Sequence, residues 1–211
     1  INLSEVNIPS SVSIIGATAF CKARLKSITI PDSVSAIGES AFAQCTGLET
    51  ISIPDSVTYI GSNLFFSCFD LTSVELPNSI TSIPACLFKN CPELKSIVIP
   101  DKVTIIEPSA FFCCGSLNTV SLPNSLTTIC REAFYACHSL SSITLPDSLS
   151  VIEDSAFEAC SGLNSVIIPN SVTHIGSRVF LDCSNLSSLK LSTSLQYVGK
   201  SAFKGTKLSI I

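Results

Sequence analysis

Eleven cysteines and two histidines are the side chains best suited to chemistry in this chain of 211 residues. Seven cysteines, Cys45, Cys68, Cys91, Cys114, Cys137, Cys160 and Cys183, recur every 23 residues. A zinc site needs ligands converging tetrahedrally on one point, usually from close Cys pairs. One thiol per repeat instead strings the sulfurs along the molecule in single file. Two readings remain: a ladder of buried free thiols behaving as small hydrophobes, or zinc ligands and disulfides. The spacing favours the ladder. Cys21, Cys86, Cys113 and Cys130 lie off it, and the turn positions of Cys86 and Cys113 make these two the better candidates for reactive thiols. An odd number of cysteines without a paired framework leaves the redox compartment open.

His138 and His174 fall in different columns of the repeat. A Ser/His/Asp or Cys/His site needs a base within hydrogen-bond reach of its nucleophile. Nothing in the sequence places either His so, and no enzyme is expected. Asp32, Asp55, Asp101 and Asp147 share a column with Asn78, Asn124 and Asn170. A carboxylate row can attract Ca²⁺, but the asparagines dilute it, and turn formation accounts better for short polar side chains after Pro. No cofactor or metal is therefore expected. The glycosylation sequons Asn2-Leu3-Ser4 and Asn185-Leu186-Ser187 are about what chance allows.

The element that must position all of these is the segment Leu140–Gly162, LSSITLPDSLSVIEDSAFEACSG. Leu140, Ile143 and Leu145 form a short strand with apolar side chains inward. Pro146 ends it, having no N–H for a ladder bond. Leu149 and Ile152 predict a second short strand. Asp154 or Ser155 then caps a single helical turn around Ala156 and Phe157. Too few residues point inward for one unit to form a core, so units must stack.

The leading Leu recurs at Leu3, Leu25, Leu48, Leu71, Leu94, Leu117, Leu140, Leu163, Leu186 and Leu208, in steps of 22 or 23. Nine units and a partial tenth from Leu208 make residues 1–211 a single repeat array. Phe keeps the same period at Phe20, Phe42, Phe65, Phe88, Phe111, Phe134, Phe157, Phe180 and Phe203. The period and the L-x-x-L-x-L pattern lie in the leucine-rich repeat range.

The stretches LETISIPDSVTYIGSNLFFSC at Leu48–Cys68 and LNSVIIPNSVTHIGSRVFLDC at Leu163–Cys183 resemble the BspA-like, treponemal-type leucine-rich repeat family. The Gly of that pattern is replaced by Pro84, Glu107, Cys130 and Glu153, which changes local loop geometry. The expected fold is a right-handed leucine-rich repeat solenoid. It has a parallel β-sheet on one side, a second row of short strands and helical turns elsewhere. Strands are expected near Ser27–Ile30, Thr50–Ile53 and Val57–Ile60 and their equivalents. Nine units would span on the order of 45 Å.

The outward positions of the first strand row are rich in hydroxyls. After Glu5 and Asn7 they read Ser27, Thr29, Thr50, Ser52, Ser73, Glu75, Ser96, Val98, Thr119, Ser121, Ser142, Thr144, Ser165, Ile167, Ser188 and Lys190. This face either merely solvates the sheet or binds a partner. Two apolar sets flank it: Phe66, Phe112, Tyr135 and Leu181, and Tyr59, Ile105, Val151, His174 and Tyr197. Half-buried packing between units is the first expectation for both.

A net charge of −4 without a basic patch excludes a nucleic-acid partner. No apolar run approaches the roughly 18 residues needed for membrane insertion within this segment. The absence of Met and the uncapped apolar ends predict that a longer natural chain exists. The resemblance implies a non-enzymatic protein-binding module of a surface or adhesion protein. Host extracellular-matrix or cell-surface proteins are then the candidate partners. The alternatives are a cytoplasmic scaffold and a purely structural spacer.

Overall fold

The structure is a computed structural model and describes residues 3–208. Asn2 of the first sequon, and the partial unit beyond Leu208, lie outside the described residues. The chain winds as a parallel β-solenoid with two strand rows. The first row contains Thr50–Ser52, Ser73–Glu75, Ser96–Val98, Thr119–Ser121, Ser165–Ile167 and Ser188–Lys190. The second contains Ile14–Ile15, Ala36–Ile37, Tyr59–Ile60, Ser82–Ile83, Ile105–Ile106, Thr128–Ile129, Val151–Ile152, His174–Ile175 and Tyr197–Val198.

The second row is the more continuous sheet. It forms one group of three strands and one of six, all parallel and in register. Its single interruption, between Tyr59–Ile60 and Ser82–Ile83, has a covalent cause. At this position the unit's N–H donates to the preceding Ile carbonyl, as in Gly61 to Ile37 at 2.9 Å and Glu107 to Ile83 at 2.9 Å. Pro84 occupies the place opposite Ile60 and has no N–H to give. The substitutions Glu107, Cys130 and Glu153 keep the bond, so only the prolyl one breaks the sheet.

The first row is segmented instead of continuous. It pairs Thr50–Ser52 with Ser73–Glu75, Ser96–Val98 with Thr119–Ser121, and Ser165–Ile167 with Ser188–Lys190. Ser142 adds a single parallel bridge to Ser165, and Ser27–Ile30 forms no strand. Each strand is three residues long, with the Pro position just beyond it, held by Ser192 after Ser188–Lys190. Each junction therefore rests on few ladder bonds and ends when one is lost.

The expected helical turn around Phe is replaced by a tighter device. The residues two before and two after each core Phe have positive φ, for example Ser40 at 55° and Gln44 at 59° around Phe42. N–H groups then alternate in direction. Ala41, Ala43 and Cys45 donate within their own turn to Gly38, Ser40 and Phe42. Ser40, Phe42 and Gln44 donate to Ser62, Leu64 and Phe66 of the next unit, the last at 2.7 Å. A helix would spend all its amides internally. This arrangement gives every second one to the stacking contact, which is why it wins here.

The core is one cluster built from several columns of repeated side chains. Phe42, Phe65, Phe88, Phe111, Phe134, Phe157 and Phe180 are fully buried. Successive rings from Phe20 to Phe203 stack with centroids 5.1–6.0 Å apart. Offset stacks at such distances add to the stabilisation from burial.

Candidate functional site

All sixteen candidate residues of the first strand row, from Ser27 to Lys190, are exposed. The residues between them turn inward: Ile28, Ile51, Val74, Ile97, Ile143 and Val166 are buried. This is the period-two alternation of a strand. Register then aligns the outward side chains in two columns. Thr50 lies opposite Ser73 and Ser52 opposite Glu75, while Ser96 lies opposite Thr119 and Val98 opposite Ser121. Ser165 faces Ser188 and Ile167 faces Lys190.

Hydroxyl use separates this face from the Ser column that follows the strand-ending Pro. Ser33, Ser56, Ser125 and Ser148 each donate to a carbonyl in the preceding unit, at 2.6–2.8 Å. Ser79 and Ser171 do the same with Val57 and Leu149. Thr72 and Thr127 likewise bond carbonyls one unit back. On the candidate face, among the described residues, Thr119 alone bonds within the protein, donating to Asn118 Oδ1 at 2.8 Å. The other hydroxyls there are left for solvent or a partner.

The cysteine ladder is a structural feature. Cys45, Cys68, Cys91, Cys114, Cys137, Cys160 and Cys183 are fully buried. Each Sγ donates to the Phe carbonyl of the preceding unit at 3.0–3.2 Å. Burial pushes the Cys45 thiol up to about 11 and those of Cys114 and Cys183 to about 12. It raises Cys68, Cys91, Cys137 and Cys160 as well. A thiol so raised stays protonated and is a poor nucleophile. All eleven cysteines are free.

Off the ladder, Cys86 and Cys113 do sit in positive-φ turns but are only half-exposed. Burial raises the Cys113 thiol against the opposing charge of Lys89, which lowers its thiolate fraction. Cys130 is buried and pushed to about 11 by desolvation and by the charges of Glu153 and Glu107.

The histidines lie apart. His138 Nδ1 is 3.0 Å from the Ala159 carbonyl and 3.4 Å from Ser161 Oγ, and His174 Nδ1 is 2.9 Å from Thr173 Oγ1. The turn aspartate Asp55 accepts from the Asn78 backbone N–H at 2.7 Å, which holds its carboxyl below its usual range. Asn170 plays the same part for Thr193 at 3.0 Å. The Asp/Asn column thus joins units. Among the described residues, no group of three or more His, Cys, Asp or Glu side chains gathers to hold a metal, and no helix is long and apolar enough to cross a membrane. The sequon residue Asn185 is exposed and accepts from Lys207 Nζ at 2.9 Å.

The two apolar flanks part company. Phe66, Phe112, Tyr135 and Leu181 are half-buried, as expected. Phe112 stacks on Tyr135 at 4.6 Å, with Lys89 Nζ 4.4 Å from the Phe112 ring centre. Half-burial fails for most of the other set. Tyr59 is 60% exposed, Tyr197 53% and Val151 41%. Ile60 and Ile152 take the inward positions, so their predecessors must point out.

The comparisons with known proteins agree with this architecture. Residues 1–118 and 104–211 match the model described as BspA type Leucine rich repeat region (6 copies). A crystal structure of a leucine-rich repeat protein from Eubacterium ventriosum is 36% identical, with a TM-score of 0.69. That match covers 72% of this chain and 41% of the other, so the chain spans about two-fifths of that relative's length. A leucine rich cell surface protein from Faecalibacterium prausnitzii is 30% identical over 95% of this chain and 70% of its own, with a TM-score of 0.59. The T. pallidum Leucine Rich Repeat protein is 25% identical over 98% of this chain and 88% of its own, with a TM-score of 0.60. No curated protein matches. The repeated Leu, Pro, Phe and Cys columns, the stacked solenoid they build and the family match lead to one assignment: the chain belongs to the BspA-type leucine-rich repeat family.

Proposed function

We propose that this chain is a protein-binding module that meets its partner through the hydroxyl-rich face of the first strand row. The observation that carries the reading is the unequal use of hydroxyls. The hydroxyls two residues after the strand-ending Pro, at Ser33, Ser56, Ser125 and Ser148, join units, whereas those of Thr50, Ser73, Ser96 and Ser142 make no bond among the described residues. A rigid array of such groups can donate and accept, and it loses little side-chain entropy on contact. Glu75 and Lys190 are among its few charges, so binding should depend only modestly on salt.

We place the module at a cell surface, as the described nature of the Faecalibacterium prausnitzii relative supports. Host matrix or surface proteins are then the partners to try first, with residues 1–211 acting as one array. Eleven free cysteines favour a second setting, a scaffold inside the cell. The test is a pull-down against extracellular-matrix and cell-surface proteins. The control replaces Thr50, Ser73, Ser96 and Thr119 together with Lys. Loss of captured proteins by a variant with an unchanged melting curve supports the reading. Capture of the same proteins by both forms removes this face as the site.

A further inference from the structure

The second strand row presents a surface of different character, independent of the hydroxyl face. Its outward column in the six-stranded group runs Ser82, Ile105, Thr128, Val151, His174 and Tyr197, aligned by ladder register. Val151 and Tyr197 of this column are large hydrophobics left exposed, and the same outward position holds exposed Ile14 and Tyr59 in the three-stranded group. His174 and Tyr197 rings lie 5.9 Å apart, beside a groove of about 320 Å³ that also touches Val151 and Glu153. Monomers seldom leave such apolar side chains aligned unless something covers them.

Charge says what kind of partner fits. The nine segments running from the strand-ending Pro position to the residue before Phe hold nine acids and four bases, a net of −5. The nine first-row strand segments hold three of each and are neutral. The chain's negative charge is therefore concentrated on this limb, with −3 in its first four segments and −2, six acids against four bases, in the five that carry the stripe. Glu107 and Glu153 follow Ile105 and Val151 by two residues and so lie on the same face of the strand. Glu107 accepts from Ser82 Oγ and the Ala85 N–H, Glu153 from the Arg131 N–H, and neighbouring Asp154 from the Ser177 N–H. These bonds, all from uncharged O–H and N–H donors, fix the carboxylates along the stripe.

We propose that this stripe, from Ile105 to Tyr197 with its acidic border, docks a cationic segment of a partner protein in which apolar side chains are interleaved with Lys or Arg. The apolar groups cover Val151, His174 and Tyr197, and the basic groups meet Glu107, Glu153 and Asp154. An anionic membrane or a nucleic acid is repelled by the same border. A second copy of the chain is itself acidic, at −4 overall, and is disfavoured by the same border.

The test is fluorescence anisotropy at low salt with a labelled peptide of alternating Lys and Leu. A Glu/Leu peptide and a Lys/Ser peptide are the controls. One variant carries Val151→Ser, His174→Ser and Tyr197→Ser. A second carries Glu107→Gln, Glu153→Gln and Asp154→Asn; the amide oxygens at 153 and 154 can still accept their bonds, and that at 107 keeps one of its two. A third, Glu5→Gln, Glu49→Gln and Glu75→Gln, removes equal charge from the first-row limb. We expect the Lys/Leu peptide alone to bind, and each of the first two variants to weaken it at least tenfold with unchanged circular dichroism. The third variant should bind as the parent does. Failure of the Lys/Leu peptide to bind overturns the proposal. So does equal binding of the Glu/Leu peptide, or equal weakening by the third variant, which would mark a mere net-charge effect.

Discussion

Raising the pH from 8 to 10 should unfold this protein through thiols that never touch solvent in the folded state. An unfolded Cys titrates near 8.5. Burial holds Cys45 at about 11 and Cys114 and Cys183 at about 12, with Cys68, Cys91, Cys137 and Cys160 also raised. Between those limits the folded chain keeps seven protons that the unfolded chain has released. The unfolded state then binds fewer protons, so stability falls as pH rises. The contribution is fully present below about 8.5 and is lost as pH climbs toward 11–12. At pH 10 an unfolded thiol lies about 1.5 units above its pKa, which amounts to roughly 2 kcal/mol each. Seven give about 14 kcal/mol, the size of a domain's whole stability. Urea unfolding followed by circular dichroism at pH 7, 8, 9 and 10, with a reductant present, measures the loss. Cys137→Ala removes one thiol. It should be less stable than the parent at pH 7, and its decline from pH 8 to 10 should be smaller by about 2 kcal/mol. An unfolding midpoint that stays level across this range refutes the reasoning, as does a parent-like slope in Cys137→Ala.

Three further outcomes follow from the packing. Phe134→Ala empties a fully buried place between rings at 5.1 and 5.2 Å and should cost about 3–5 kcal/mol in denaturant unfolding. Ala159→Gly should raise stability by up to about 1 kcal/mol, because Ala159 holds φ at 60°, where a Cβ is strained; a lower melting temperature would contradict the strain argument. Hydrogen exchange should be faster for the amides of Thr81–Ile83, at the Pro84 break, than for their equivalents Thr127–Ile129; equal protection would mean the break carries no weakness.

Much of this architecture was legible because identical residues had to fall in identical places. The Phe and Cys columns could only be inward, and the strand alternation fixed the exposure of Thr50, Ser73 and their equivalents. The Phe turn was not legible. Positive φ usually announces itself through Gly, yet among the described residues Gly205 is the only Gly that adopts it. The sites are held instead by residues such as Lys22, Gln44 and Ala136, whose own preferences give no such signal. Stacking bonds to the next unit impose the conformation, and those depend on register between segments 22 residues apart. The Pro84 break was half legible: the departure showed in the sequence, but its effect required knowing that this N–H crosses to Ile60. The charge segregation between limbs could have been counted at once. It needed only the recognition that limbs, not the whole chain, are the units that meet a partner.

The direction of the bonds between units carries a mechanical consequence. From Ser40 to Ser62, from Phe42 to Leu64 and from Gln44 to Phe66 they run from one turn to the next. A force pulling on the two ends loads them along their length, so they part turn by turn instead of shearing all together. Each turn released adds about 23 residues of extended chain, about 80 Å, in exchange for a stacking rise of about 4.8 Å. Such a rod lengthens in even steps under tension and can take up a jolt before its far end lets go. The joint at Pro84, which lacks the bond to Ile60 but keeps those from Asn63 to Ala85, Phe65 to Leu87 and Ser67 to Lys89, has one bond fewer to part.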